Sequence, residues 1–236
     1  MFTSPNGPAM PETHLFVRTT SPNTAVAQVS ASHAHVHSWA QSQERFPERD
    51  VSALSAHRRL EHFALDQVML TFNGPLASAQ IIHDTQGKPH LFGNEGHISL
   101  AHHTASNCCW AMISVGSEPI GCDIERPRQQ LQSIGKRFLN DRERKNLVTT
   151  DQLCCAWAIK ESMFKSIGAN VDFRQDLEVG EFQIPEEETF IVSGTIRGVS
   201  SNWQVWKVRP DGIELNGTDL LFAVTGPIQL PKASSI

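Results

Sequence analysis

The sequence predicts an α+β fold made of two similar lobes. The predicted elements run as a helix followed by strands, and this order occurs twice along the chain. With 236 residues, the chain can bury a core as one domain or as two small lobes. Hydrophobic residues make up 39% of the chain and charged residues 19%, which is typical of a globular protein.

We expect the first lobe to span residues 14–116 and the second lobe to span residues 117–226. Residues 1–13 are rich in proline, glycine and serine, which predicts a loose lead-in to the first lobe. Residues 227–236 begin at a proline and predict a loose tail.

The first lobe is predicted to contain one long helix and several strands. Residues 14–38 alternate weakly between apolar and polar side chains, which favours a strand. A helix is predicted over residues 50–70, because Asp50 is a suitable N-cap and the apolar residues after it form a helical stripe. The remaining strands are predicted at about 79–83, 89–92, 97–101 and 109–115.

The second lobe is predicted to repeat that order. A strand from Ile120 to Glu125 precedes a helix over about 141–148, with Asn140 or Asp141 as its N-cap. A further helix begins near Asp151 and ends before a glycine. The strands that follow are predicted at 181–184, 189–196, 203–208 and 220–225.

Three histidines recur at every second position, at His33, His35 and His37. On a strand, this spacing would place three imidazoles on one face, where they could bind zinc. A polar edge strand is the simpler interpretation and the one we favour. No cysteine or acidic residue with ligand spacing lies nearby.

The cysteines predict free thiols rather than a disulfide framework. Their number is odd and two pairs are adjacent in sequence, a pattern that does not suit disulfides. A free cysteine in an apolar segment behaves as a small hydrophobic residue. This usage predicts a reducing compartment, the cytoplasm. The five cysteines are Cys108, Cys109, Cys122, Cys154 and Cys155.

Charge and hydropathy limit the classes of partner. No apolar run approaches the roughly 20 residues that span a bilayer, and the amino terminus lacks the pattern of a secretory signal. The net charge is −5, so a nucleic-acid partner is not implied. We expect a cytoplasmic monomer with neither a membrane nor a nucleic-acid partner.

The motif Gly-Cys-Asp-Ile-Glu at Gly121–Glu125 is the first of two acidic motifs. Side chains alternate along a strand, so Asp123 and Glu125 would project together while Cys122 and Ile124 face the core. Taken alone, an Asp-x-Glu strand is a weak signal for metal binding.

The second acidic motif runs from Trp157 to Gly168 and reads Trp-Ala-Ile-Lys-Glu-Ser-Met-Phe-Lys-Ser-Ile-Gly. Helical spacing places Trp157, Glu161 and Lys165 in one stripe. Alone, such a stripe is usually an exposed salt-bridged face with a tryptophan in the core. The two motifs together place three carboxylates beside a lysine, which suits Mg²⁺ bound to a polyphosphate.

In this order and with these flanks, the two motifs resemble the larger, surfactin-synthetase-activator type of 4′-phosphopantetheinyl transferase. That family shows G-x-D-x-E followed by W-x-x-K-E-x-x-x-K-x-x-G, and both are in register here. The resemblance runs from about residue 44 to about 225 and is strongest over 87–168. Further matches are the helix residues Phe138, Glu143 and Leu147, the G-K-P step at 87–89, and His102 at a strand end.

The resemblance implies the fold, the reaction and the ligands. The two lobes would be related by a pseudo-twofold, with coenzyme A bound in the cleft between them. A serine of an apo carrier protein would attack the β-phosphate of coenzyme A and release 3′,5′-ADP. The alternatives are a non-catalytic relative that binds coenzyme A or a carrier protein, and a different Mg²⁺-dependent phosphotransferase or phosphodiesterase.

The resemblance also assigns the site residues. Asp123, Glu125 and Glu161 would hold Mg²⁺, and Glu161 is in addition the candidate general base, two roles that compete. Lys165 would pair with phosphate. Lys88 and His102 would contact the nucleotide, and Lys160 would bind phosphate or lie in solvent.

Two positions depart from the family pattern. The serine that usually precedes the histidine is Ala101, and the E-H-x-A-G-R helix motif ends here in Leu65 and Asp66. An aspartate near the 3′-phosphate of coenzyme A would repel it. Arg58 and Arg59 would then supply the missing charge, although a solvated helix face is an equal interpretation of both.

The segment Lys136–Leu139 is our candidate for the surface that contacts a carrier protein. Carriers of this class are acidic, and this segment joins two basic residues to two apolar ones. The alternative interpretation is a connection between elements, with incidental charges.

Overall fold

The chain forms two antiparallel sheets, each covered by a long helix. The computed structural model describes residues 10–20, 22–105, 108–168, 170–209 and 220–228. The first-lobe elements are β1 (Glu12–Thr20), β2 (Asn23–Ser30), α1 (His33–Ser42), α2 (Ala56–Leu70), α3 (Pro75–Ser78), β3 (Ile81–His83), β4 (Pro89–Leu91), β5 (His97–Ala105) and β6 (Cys108–Gly116). The second-lobe elements are β7 (Gly121–Glu125), α4 (Gln130–Phe138), α5 (Asp141–Asn146), α6 (Thr150–Ile167), β8 (Leu177–Val179), β9 (Thr189–Ile196), β10 (Val199–Val208) and β11 (Leu221–Gly226).

The two sheets share one topology. The strand orders are β1-β2-β6-β5-β4-β3 and β7-β11-β10-β9-β8. In both lobes a first strand (β2 or β7) leads to a long helix (α2 or α6), and four strands then return as a meander. The last strand of each meander pairs with the strand that precedes the long helix, β6 with β2 and β11 with β7, and β1 is an additional edge strand of the first sheet. The predicted α+β class with two lobes is therefore confirmed, while the pseudo-twofold relation stays a prediction.

Each long helix packs its apolar face on its own sheet. The buried residues of α2 join those of β2 and β6 in one core, and α6 forms a second core with β10 and β11. A third cluster lies between the two sheets and includes Val26, Trp110, Ile124 and Ala223. The two lobes thus share a continuous buried contact, which fixes the walls of the cleft between them.

Hydroxyl groups link the lobes inside this contact. The Ser114 hydroxyl bonds the Thr24 hydroxyl at 3.0 Å and accepts from the Thr225 hydroxyl at 2.8 Å. The Ser99 hydroxyl accepts from the Cys122 backbone N–H at 2.9 Å. All five residues are buried, so the Ser114–Thr225 and Ser99–Cys122 bonds join first-lobe strands to β11 and β7 away from water, while Thr24 supports Ser114 from within the first lobe.

Residues 14–38 differ from the predicted single strand. They hold parts of β1 and β2 and the beginning of α1, so His33, His35 and His37 lie on a helix and do not share one face. Ser32 caps α1 by accepting from the His35 N–H, and Val36 and Ala40 are buried one turn apart. Within the described ranges, no group of three or more His, Cys, Asp or Glu side chains is placed to hold a metal ion.

Other boundaries also shift from the predictions. Ser55 caps α2, whereas Asp50 caps a separate 3₁₀ turn at Val51–Ala53. Helix α4 was not predicted. The strand predicted at 181–184 is wrong; β8 lies at Leu177–Val179 instead.

The predicted tails are only partly described. Glu12 and Thr13 belong to β1, not to a loose lead-in, and residues 1–9 and 229–236 lie outside the described residues. The five cysteines are all free and buried, as predicted. No helix in the described part of the chain is long and apolar enough to span a membrane.

Candidate active site

The site begins with an unusually close contact between α6 and β7. A Cβ added to Gly121 would lie 1.7 Å from the Ser162 carbonyl oxygen and 2.9 Å from the Ser166 nitrogen. Only glycine permits this approach of strand to helix. The contact brings Glu161 and Lys165 of α6 to the strand that carries Asp123 and Glu125.

Asp123 and Lys165 form the central ion pair. The Lys165 Nζ lies 2.8 Å from Asp123 Oδ1 and also donates to the backbone oxygens of Cys122 and Leu100. Burial favours the neutral amine, but the Asp123 carboxylate outweighs it and raises the pKa of Lys165, so the side chain stays cationic. Asp123 is 8% exposed, and its Oδ2 is buried without a hydrogen-bond partner among the described residues.

Glu161 lies one helical turn before Lys165. No side-chain hydrogen bond or ion pair of Glu161 occurs among the described residues. Burial, followed by repulsion from the Asp123 carboxylate, raises the pKa of Glu161 to about 7. This carboxyl group can therefore take up or release a proton near neutral pH.

Glu125 is held by two donors. Its Oε1 accepts from the Trp157 Nε1 at 3.0 Å and its Oε2 accepts from Arg128 at 2.6 Å. Phe138 and Phe173 pack on the Trp157 ring and fix its orientation. The predicted stripe of Trp157, Glu161 and Lys165 thus spans the site, with the tryptophan serving as a hydrogen-bond donor.

The three carboxylates suit a hard divalent cation by their chemistry, although they are not gathered into a ligand cluster. Mg²⁺ prefers oxygen ligands, and the buried Asp123 Oδ2 has no partner within the described chain. Both Glu125 carboxylate oxygens already accept hydrogen bonds, from Arg128 and Trp157, which distinguishes Glu125 from Asp123 and Glu161. Asp123 and Glu161 are the best placed to bind a cation, and Glu125 would have to exchange a donor.

A cavity of about 390 Å³ lies between the lobes beside these residues. Phe164, Lys165 and Gly168 line it from the second lobe. Of the predicted contacts, Lys88, His102 and Arg58 line it as well. Its first-lobe wall also contains Phe46, Arg49, Glu61, His62, Leu65, His83, Ile98, Ser99 and Leu100. Cationic groups over an apolar floor fit a phosphorylated ligand with an aromatic part.

His102 is oriented by a buried carboxylate. The His102 Nε2 lies 3.1 Å from Glu61 Oε1, and Arg58 lies 3.1 Å from the other oxygen. Burial raises the pKa of Glu61, but the hydrogen bond to His102 and the neighbouring cations outweigh it, so the pKa is lowered. Ala101, where the family has serine, is buried in the contact between the sheets and does not line the cavity. Ser99 lines it instead.

The structure corrects the role predicted for Lys160, which was to bind phosphate or lie in solvent. Its side chain is fully buried, so it neither binds phosphate nor lies in solvent. The Nζ lies 2.7 Å from Glu143 Oε2 and donates at 2.8 Å to three backbone oxygens. Burial, opposed by Glu143, lowers the pKa of Lys160. The three oxygens belong to Phe138, Phe173 and Leu177.

Arg59 and Asp66 also differ from the predicted roles. Arg59 donates to the Ser52 and Leu54 carbonyls and does not line the cavity. Asp66 accepts from Arg45 and from Trp39, at 2.8 Å each. Asp66 thus pairs with Arg45 and does not line the cavity, so its predicted repulsion of a 3′-phosphate finds no support in this geometry.

Several cavity residues were missed by sequence reasoning. Glu61 and His62 lie in the E-H-x-A motif, which could have suggested them, since the motif was noted. Arg49 precedes α2 and carries no local pattern, so only the folded chain brings it to the cavity.

Comparison with known families agrees with this geometry. Residues 119–224, which include β7 and α6, match the model of the 4′-phosphopantetheinyl transferase superfamily. This segment is thus similar to that superfamily. The resemblance inferred from the two acidic motifs is thereby confirmed.

Two curated 4′-phosphopantetheinyl transferases are similar to part of the chain. The 4′-phosphopantetheinyl transferase Sfp of Bacillus subtilis strain 168 is 28% identical over 130 residues, which are 51% of this chain and 56% of the relative. A second Bacillus subtilis 4′-phosphopantetheinyl transferase is 30% identical over 97 residues, 38% of this chain and 42% of the relative. The chain therefore spans about half the length of the curated relatives that it matches.

The raised pKa of Glu161 predicts how stability depends on pH without metal. A carboxyl group with a raised folded-state pKa costs no stability below about pH 4.5. It costs progressively more as the pH rises to about 7. In the presence of a chelator, Glu161→Gln should therefore stabilise the protein at pH 8 by about 1–2 kcal/mol, after allowance for partial solvent screening. At pH 4.5 the gain should disappear.

Denaturant unfolding at both pH values measures this effect. Glu187→Gln, at an exposed position, serves as the matched control and should change stability little at either pH. An equal effect of Glu161→Gln at pH 4.5 and pH 8 would contradict the assignment.

Proposed function

We propose that the protein transfers 4′-phosphopantetheine from coenzyme A to a serine of an apo carrier protein, with Mg²⁺, and releases 3′,5′-ADP. One observation supports this proposal most directly. The segment similar to the superfamily places the Asp123–Lys165 pair and Glu161 beside a cavity that is lined by further cations. The free cysteines support its placement in a reducing cytoplasm, where we expect it to act as a monomer.

Coenzyme A would lie along the cavity. Lys165 pairs with Asp123 and lines the cavity, and it would bind the pyrophosphate. Lys88, His102 and Arg58 would contact the nucleotide part, and the apolar floor would contact the adenine ring. This arrangement holds the reacting phosphate next to Glu161, and positioning of this kind supplies much of the rate in phosphoryl transfer.

Asp123 and Glu161 would hold Mg²⁺, joined by Glu125. When bound, the ion would neutralise the charge that develops on the leaving 3′,5′-ADP. Lys165 keeps Asp123 Oδ1 in place, so the orphaned Oδ2 is the oxygen free to bind. Arg128 and Trp157 keep Glu125 oriented from the other side.

Glu161 is the candidate general base. The serine hydroxyl would form a bond to the β-phosphorus as the bond from that phosphorus to the 3′,5′-ADP oxygen breaks. The hydroxyl proton would pass to Glu161, directly or through water. Without a bound cation the pKa of Glu161 is about 7, which suits proton uptake near neutral pH. Direct binding of Mg²⁺ would lower this pKa, so the roles of metal ligand and base compete.

A panel of apo carriers incubated with coenzyme A and Mg²⁺ tests the proposal, with intact mass as the measurement. We expect the carrier to gain one phosphopantetheine per reactive serine, and only when both coenzyme A and a divalent cation are present. Binding of coenzyme A without transfer across the panel would favour the non-catalytic alternative. Turnover of another phosphate ester without carrier modification would favour a different phosphotransferase.

The carrier surface needs one revision from the sequence prediction. Lys136 and Arg137 are exposed in the last turn of α4, whereas Phe138 and Leu139 are buried, so only the basic half of the segment is available. Val148 is a nearby apolar residue that is 64% exposed. Lys136 and Val148 both line a shallow depression between α4 and α6.

We expect Arg137→Glu to raise the KM for an acidic carrier by about tenfold and to leave the KM for coenzyme A nearly unchanged. Initial rates with either substrate varied measure both constants. Arg142→Glu, on exposed α5, is a charge-matched control. Equal changes in both KM values for Arg137→Glu would reject this surface.

A further inference from the structure

Lys160 joins three segments of the second lobe through its buried ammonium. It donates at 2.8 Å to the carbonyl of Phe138 at the end of α4, to that of Phe173 between α6 and β8, and to that of Leu177 at the start of β8. The Glu143 carboxylate, 2.7 Å away, is a fourth acceptor. An ammonium has three N–H groups, so these protein acceptors engage all of them. Because its side chain is fully buried, Lys160 acts only on the protein around it.

Two of the three carbonyls belong to the phenylalanines that pack on Trp157. The Phe138 ring meets the indole edge-on, with ring centres 5.0 Å apart, and the Phe173 ring stacks on it, with ring centres 5.8 Å apart and planes 27° apart. Phe138 is buried at the end of a helix, but Phe173 lies in a turn and is only partly buried. The bond from Lys160 to the Phe173 carbonyl therefore ties this ring to the core. We call Phe138, Trp157 and Phe173 the ring stack.

The ring stack orients the indole N–H of Trp157 toward Glu125. The indole donates to Glu125 Oε1 at 3.0 Å, and Arg128 donates to Oε2 at 2.6 Å. The indole is packed by rings on two sides, whereas the Arg128 side chain is 39% exposed and its ion pair is open to solvent. The Arg128 bond is therefore the one that a ligand of Glu125 displaces at the lower cost.

We propose that Lys160 is a positioning residue for metal binding, which orients Glu125 through the ring stack. Glu125 Oε1 stays bonded to the indole, and Oε2 exchanges Arg128 for a divalent cation. The inference rests on the proposed function for the role of Glu125 as a metal ligand. Residues that orient a ligand through a hydrogen bond affect metal affinity without touching the metal. Lys160 acts in this way and contacts neither the cation nor the substrate.

Binding of Mn²⁺ to the full chain, with one equivalent of coenzyme A and no carrier, tests this inference. Mn²⁺ stands in for Mg²⁺ at oxygen ligands, and electron paramagnetic resonance measures the free ion. Lys160→Met should raise the Kd for Mn²⁺ by about tenfold. Coenzyme A alone provides the blank, and circular dichroism ensures that each variant is titrated while folded.

Lys207→Met is the matched control for this substitution. Lys207 is also buried, at 8% exposure, and its ammonium donates at 2.8 Å to the carbonyls of Pro185 and Glu186. The substitution removes the same charge and the same kind of bond from the same lobe, but neither acceptor residue carries an aromatic ring. It should lower stability and leave the Kd for Mn²⁺ within about twofold of the native value. An effect that came from lost stability alone would appear in both variants.

A second comparison tests whether the effect passes through the ring stack. Trp157→Phe, which lacks the indole N–H, should raise the Kd for Mn²⁺ by about 10- to 30-fold. In that background Lys160→Met should have no further effect, because the hydrogen bond through which it acts is absent. Phe173→Ala leaves the buried ammonium and its acceptors in place and should behave like Lys160→Met in both backgrounds. The test therefore holds even if Lys160→Met does not fold.

Three results would overturn the inference. The first is a native protein that binds no Mn²⁺ beyond the blank. The second is an unchanged Kd in folded Lys160→Met or in Phe173→Ala, and the third is an effect that is equally large in the Trp157→Phe background. Transfer activity with an unchanged Kd would reject this inference alone. A Kd that depends on Lys160 through Trp157, without transfer to any carrier, would reject the proposed function alone.

Discussion

Replacing Asp123 by asparagine should reduce the rate of phosphopantetheine transfer by about 10³-fold or more. The substitution keeps the shape of the side chain but removes the carboxylate that pairs with Lys165 and offers Oδ2 to a cation. The loss should appear in kcat, because charge that develops on the leaving group would no longer be compensated. Binding of coenzyme A in the absence of metal should change much less.

Initial rates by intact mass, with far-ultraviolet circular dichroism to confirm folding, measure this effect. Cys122→Ser is the matched control, since Cys122 is the preceding residue on β7 and its side chain is buried in the contact between the sheets. We expect it to lower stability and to leave kcat within about threefold of the native value. A folded Asp123→Asn protein with a near-native rate would remove Asp123 from the site.

Replacing Lys160 by methionine should destabilise the protein by about 3–5 kcal/mol. The buried ammonium is the counter-charge of Glu143 and the donor to three backbone carbonyls from α4 and from the segment that leads into β8. Without it, the Glu143 carboxylate retains the backbone N–H groups of Asn140 and Val179 but loses its cation. Coenzyme A affinity should stay unchanged under conditions where the variant is folded.

Chemical denaturation of four proteins provides the measurement: native, Lys160→Met, Glu143→Gln and the double variant. We expect the double variant to be less destabilised than the sum of the single changes, because removing both partners leaves no uncompensated charge. Lys145→Met, on the exposed surface of α5, should change stability by less than about 0.5 kcal/mol. A small stability change for Lys160→Met with a large loss of coenzyme A affinity would restore the original phosphate-binding prediction.

The sequence predicted the site residues well where they are defined by the spacing of neighbouring residues within one strand or one helix. Alternation along β7 and the four-residue spacing of α6 predicted which side chains share a face, and the order of the two motifs with the family resemblance implied that Asp123, Glu161 and Lys165 approach one another. The end of α6 was predicted from Gly168, whereas its N-cap, Thr149, was not predicted and the start was placed near Asp151. These patterns depend on neighbouring residues, which a sequence displays directly.

The predictions failed for side chains whose ion-pair and hydrogen-bond partners lie far away in the sequence. Lys160 lies next to Glu161 in sequence, yet it points to α5 and to the first residue of β8. Asp66 pairs with Arg45 and Trp39, which lie 21 and 27 positions earlier. Nothing in local spacing reveals such partners, so these residues could not be assigned from the helix pattern alone.

The buried hydroxyl links between the sheets have a mechanical consequence. Separating the lobes would break the bond from the Thr225 hydroxyl to Ser114 and the bond from the Cys122 backbone N–H to the Ser99 hydroxyl, and it would expose the apolar cluster beside them. Neither half of the chain is therefore expected to fold when expressed alone, despite the repeated topology. For the same reason we expect the cleft to act as a rigid groove and not as a hinge. A ligand would then bind between cavity walls that are already in position, and none of its binding free energy would be used to close them.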